Sequence, residues 1–84
     1  MALTEVLPRL ASYAKRDASF TPVKNTSSER WHVVANGEFE LVVTGPKFWD
    51  VRGNVGGGGA IDLAVHIWGC SYRAAIRRLG NLQL

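Results

Sequence analysis

The stretch "WHVVANGEFELVV", Trp31 to Val43, decides the fold. Two runs rich in β-branched and aromatic residues flank Asn36-Gly37, the dipeptide that most strongly signals a short hairpin turn. In the second run Phe39, Leu41 and Val43 alternate with Glu38 and Glu40, so one face is buried and the other wet. Downstream, "TGPK" is a second turn and "FWDV" returns as a third strand. The expectation is a small antiparallel sheet of about three strands over residues 31–52.

Outward from the hairpin the period changes. Leu3, Leu7, Leu10 and Tyr13 follow helical spacing, with Thr4 placed to cap and Pro8 in the first turn or so. This predicts a helix over about 4–14. The polar segment "KRDASFTPVKNTSSER" that follows reads as an irregular connector. Beyond the sheet, Ile61, Ala64, Val65 and Trp68 share a helical face widened by Leu63 and Ile67, and Asp62 suits the positive end of that helix. Gly69 stops it. Ser71 caps a last helix with an apolar stripe of Tyr72, Ala75, Ile76 and Leu79, ended by Gly80. The two helices are expected at about 60–68 and 72–79. Four consecutive glycines, Gly56, Gly57, Gly58 and Gly59, join sheet to helix. They read either as a compact turn with close backbone packing or as a cradle of backbone amides for a phosphate. No Lys-Ser/Thr follows them, so they are not a Walker loop.

The chain has 84 residues, 46% of them apolar, which bounds it to one domain with a small core, and the sheet and helices read above make its expected class α+β. Cys70 is the only cysteine, so no internal disulfide forms, which fits a reducing cytoplasm. No apolar run approaches the roughly 20 residues that span a membrane, and "MALTEVLPRL" is not a signal peptide. Net charge is +3 and the pI about 9.5, compatible with nucleic acid. Catalytic constellations are thin. His32 and His66 lie apart, no carboxylates pair, and no cofactor is implied. The cations say more. Lys24, Arg30, Lys47 and Arg52 interleave with Trp31, Phe48 and Trp49 in and beside the sheet. Basic groups track a phosphate backbone, and flat aromatics, here Trp49 or Phe48, stack on unpaired bases. Arg73 and Arg77 at i,i+4 on the last helix are a second cationic face.

From Trp31 to Leu79 the order of elements resembles the zinc-ribbon domain at the N-terminus of bacterial DnaG-type primases. The specific part is Gly57-Gly58, Ala60-Ile61-Asp62, Ser71-Tyr72 and Arg77-Arg78-Leu79. The resemblance implies a zinc-ribbon-like sheet packed with an N-terminal helix and two C-terminal helices, in one domain over 1–84. It also implies a departure. Where the family carries a Cys-x-x-Cys zinc pair, Val51 and Asn54 stand here, and no cysteine precedes Cys70. The chain is similar to zinc-less ribbons that head Toprim primase-like proteins of plasmids, phages and other mobile elements. By that resemblance it is a non-catalytic domain engaging single-stranded DNA or RNA, beside a primase-like catalytic domain in cis or trans. The alternative is a protein–protein docking module that kept the fold and lost nucleic acid and zinc.

Overall fold

The computed structural model describes residues 3–21 and 27–82. It is an α+β structure of five antiparallel strands and three helices. Helix α1 (Leu3–Leu10) precedes strands β1 (Tyr13–Arg16), β2 (Glu29–Ala35), β3 (Gly37–Thr44), β4 (Lys47–Asp50) and β5 (Val55–Gly58). Helices α2 (Gly59–Trp68) and α3 (Tyr72–Asn81) follow. Each strand pairs with its sequence neighbour, in the order β1-β2-β3-β4-β5.

The hairpin expected around Asn36-Gly37 is β2–β3, with Ala35 opposite Gly37 and Asn36 alone at the tip. The tip is held by the Asn36 amide donating to Ile67 O of α2 at 3.0 Å. Two strands exceed the expected three. The first is β1, in residues read as helix end and connector: α1 stops at Leu10, and Tyr13 to Arg16 pair with Val34 to Trp31. Helical spacing misleads here because Tyr13 is also i+3 from Leu10. Helix α1 begins at Leu3, so Thr4 lies inside it and is no cap. The second extra strand is β5, where Gly56, Gly57 and Gly58 lie in extended ladder positions opposite Trp49, Phe48 and Lys47. The glycines are therefore a strand and not a turn. Only Gly59, at the first position of α2, takes a positive φ, of 87°.

Close approach explains two of the three glycines inside β5, Gly56 and Gly57. A Cβ on Gly57 would stand 2.9 Å from the Phe48 ring, and one on Gly56 would stand 2.8 Å from Trp49 Cε3. The two aromatics of β4 thus lie over bare backbone on opposite faces of the sheet.

All three helices contribute to one buried cluster on a single face of the sheet. It joins Leu3, Val6 and Leu7 of α1 to Val33, Leu41, Val43 and Phe48 of the sheet and to Leu63 and Ile67 of α2. Trp31, Phe39, Ile61 and Val65 are partly buried against it. Trp68 is buried and its indole donates to Leu10 O at 2.8 Å, tying α2 to the end of α1. Gly69 ends α2 in the left-handed conformation, and Ser71 Oγ accepts from the Ala74 amide at 3.2 Å to start α3. Gly80 does not end α3, which runs on to Asn81. Of the expected stripe on α3, Ala75 and Leu79 are buried while Tyr72 and Ile76 are exposed, because α3 packs mainly on α2 and one narrow seam suffices.

The turn at Val51–Asn54 is closed by Asp50. Its Oδ1 accepts from the amides of Arg52 at 3.0 Å and Gly53 at 2.9 Å. Its Oδ2 accepts from His66 Nε2 of α2 at 2.6 Å. Burial alone would raise this carboxyl. The Gly53 amide, the His66 hydrogen bond and its charge, and the Arg52 amide outweigh burial and hold it below its ordinary 3.8. The Phe39 and Phe48 rings pack against the imidazole.

Candidate nucleic-acid interface

Strand alternation and register place the remaining side chains on the face that no helix covers. Across neighbouring strands, Tyr13 stands opposite Val34 and Val34 opposite Glu38; Lys15 stands opposite His32 and His32 opposite Glu40. Arg30, Val42, Trp49 and Gly56 form a third row. Thr44 and Lys47 begin a fourth. None of these outward residues is buried. Two are large aromatics left in solvent, Tyr13 at 49% exposure and Trp49 at 46%. Burying the sheet's apolar set on one side leaves this second face free to present side chains on a rigid ladder.

A polar network crosses the middle of the face. Glu40 accepts from His32 Nδ1 at 2.8 Å and from Arg30 Nε at 3.4 Å. Arg52 approaches Glu40 at 3.8 Å and Glu38 at 4.0 Å. Partial burial pushes the Glu40 carboxyl up, but the bonds and charges of His32 and Arg30 overcome it and hold the group below its ordinary 4.5. Glu40 therefore stays ionised at neutral pH and keeps three basic side chains arranged on the surface.

Of the residues singled out from sequence, Arg30, Lys47, Trp49 and Arg52 come together on or beside this face. Lys24 lies outside the described residues. Phe48 points the other way and is buried, so it offers no stacking surface. Trp31 also packs toward the core, its indole donating to Glu29 Oε1 at 3.1 Å. Arg73 and Arg77 are exposed on α3, which packs on α2 in the helix layer, and do not join the sheet face. Sequence reasoning missed Tyr13, Lys15, His32 and Glu40. The signal for the first two was "YAKR", a four-residue alternation with Ala14 inward and Tyr13 and Lys15 outward.

Among the described residues no three His, Cys, Asp or Glu side chains gather as a metal set. No helix of the described residues is long and apolar enough to cross a membrane. No protein-family model, curated protein or solved structure matches the chain.

Proposed function

We propose that this chain binds single-stranded nucleic acid through the helix-free face of its sheet, as a non-catalytic module. One observation carries the reading: Tyr13 and Trp49 are exposed on the same rigid face as Lys15, Arg30, Lys47 and Arg52. Exposed aromatics on a soluble sheet cost solvation unless something covers them, and unpaired bases supply flat apolar faces with an attached phosphate chain. The four cations outnumber Glu38 and Glu40 of the face and Asp17 at its edge, so the face suits a polyanion. The resemblance to primase head domains supplies the setting: a template-engaging domain of a primase-like protein of a mobile element, working in the cytoplasm beside a catalytic domain in cis or trans. Asp50 accepting from two amides of the Val51–Asn54 turn supports the zinc-less form of that reading.

The test is a titration of labelled oligonucleotides over a salt series. Lys47→Ala and Arg52→Ala are each expected to flatten the slope of log K against log salt by roughly 0.7. Trp49→Ala is expected to cost about 1–3 kcal/mol and leave that slope alone. Arg73→Ala/Arg77→Ala should change neither. Loss of binding in that last variant alone would move the site to α3. No binding by the parent chain at low salt would leave the second reading, docking to another protein domain. That reading is favoured by Tyr72 and Ile76, one turn apart and both exposed on α3.

A further inference from the structure

At the β1 edge of the open face lies a hollow of about 490 Å³ whose walls include Tyr13, Lys15, Asp17, Ser19, His32 and Glu40. Its floor is the His32–Glu40 pair. An ionised carboxylate only accepts, so the proton on this hydrogen bond belongs to His32 Nδ1. That assigns the tautomer: the second nitrogen, Nε2, is a bare acceptor in the neutral ring and a donor once the ring takes a second proton. No partner is bonded to Nε2 among the described residues. The Tyr13 ring stands edge-on to the imidazole, with centroids 6.1 Å apart. A flat surface, a lysine directly opposite His32 and an uncommitted ring nitrogen thus meet at one concave place.

We propose that this hollow seats one nucleotide of the bound strand, its base lying on Tyr13 and its phosphate gripped by Lys15 and by His32 Nε2 when the ring is protonated. The proposal rests on the strand-binding reading of the open face and adds a proton-dependent grip to it. The charges around the ring allow this. From β1 and the turn after it, Lys15 stands opposite His32, and Arg16 and Asp17 line the same hollow. On its own strand stands Arg30, and from β3 come Glu40 and, one pair further along, Glu38. Arg52 reaches in from the turn after β4. Glu40, the nearest carboxylate, is matched by Arg30 and Arg52, and Asp17 is occupied by the Ser19 amide and hydroxyl at 2.9 and 2.6 Å. A second proton on His32 therefore adds a cation to a surface whose acids are already partnered. The protonated imidazole donates from Nε2 where the neutral ring only accepts, so the grip tightens as the pH is lowered.

The experiment is a titration of the whole chain with labelled oligothymidylate, whose bases keep their protonation in this range, at about pH 8 and about pH 5.5 and fixed ionic strength. Affinity is expected to rise roughly fivefold at the lower pH, the effect of one partly exposed charge pair. The salt slope should steepen by roughly 0.7. His32→Gln should bring the ratio of the two affinities to one, whatever its absolute affinity. Lys15→Ala should weaken binding at both pH values and keep the ratio. Without any variant, the NMR titration midpoint of the His32 ring should move up when the oligonucleotide is added, since binding and protonation are linked reciprocally. An unmoved midpoint, or a pH ratio that survives in His32→Gln, overturns the nucleotide grip while leaving strand binding through Trp49 intact. Thymidine monophosphate binding as tightly as the strand would keep the pocket and overturn the strand as its occupant. No binding at either pH overturns both.

Discussion

Two histidine–carboxylate pairs sit on opposite faces of one sheet, and their fates differ. Asp50–His66 is on the covered face, at 2.6 Å, with the Asp50 side chain only 6% exposed. Its other acceptor oxygen is taken by two turn amides, and its imidazole is packed by Phe39 and Phe48. Glu40–His32 is on the open face, at 2.8 Å, with the Glu40 side chain 18% exposed and the His32 side chain 35%, against 20% for His66. The same two functional groups at nearly the same distance hold a turn together in one place and present an uncommitted nitrogen in the other. Burial, not the pairing itself, decides which role a pair takes. A buried pair that loses one member leaves the other uncompensated, whereas a surface pair is replaced by water.

The sharpest way to break this contrast is to truncate both acids. Asp50→Ala is expected to destabilise the domain by about 3 kcal/mol, because two turn amides and His66 lose their acceptor. Glu40→Ala should cost about 1 kcal/mol or less, and denaturant unfolding of the two variants measures the difference. Equal losses would end the distinction between the faces. Gly57→Val comes next, at about 2 kcal/mol, since its side chain would enter the space of Phe48 on the covered side. Gly58→Val should cost well under that, as the nearest heavy atom to its Cβ is Pro46 O at 3.7 Å. Thermal melts of the two valine variants separate close packing from any general need for glycine.

Acid adds a smaller effect with a defined sign. Both carboxyls titrate below their ordinary 3.8 and 4.5 in the folded chain. Their contributions are therefore complete above those values and are lost as pH falls through the folded ones. Stability measured against pH should drop below about pH 4, and Asp50→Asn should flatten that drop more than Glu40→Gln. The smallest effect belongs to the helix layer. Removing Arg77 is expected to stabilise α3 by a few tenths of a kcal/mol, because its repulsion with Arg73 one turn away disappears.

What could be read from sequence follows from where the information is stored. The β2–β3 hairpin and helices α2 and α3 carry their periodicity in their own side chains. Strand β5 does not: three glycines have nothing to alternate, and the strand exists because Trp49 and Phe48 of β4 lie across it. Strand β1 was hidden because Tyr13 continues the spacing of Leu3, Leu7 and Leu10. The site divides in the same way. Arg30, Lys47, Trp49 and Arg52 flank a legible hairpin and were in view. Tyr13 and Lys15 belong to the hidden strand. The His32–Glu40 pair needed the strand register, which no single segment contains.

A sheet whose every strand pairs with the strand before it asks the chain to close only local loops, the longest being the 12 residues between Arg16 and Glu29, and this has a kinetic consequence. Local closures are fast, so the meander is expected to assemble early. The two ends of the chain meet elsewhere, through Trp68 on Leu10 and through Arg9 Nη2 on Leu82 O at 3.0 Å, across 58 and 73 residues. Contacts so distant are expected to form after the barrier is crossed. Trp68→Phe should then speed opening and leave the refolding arm of a chevron in place, which makes the seam between α1 and α2 the clasp that sets how long the native domain stays shut.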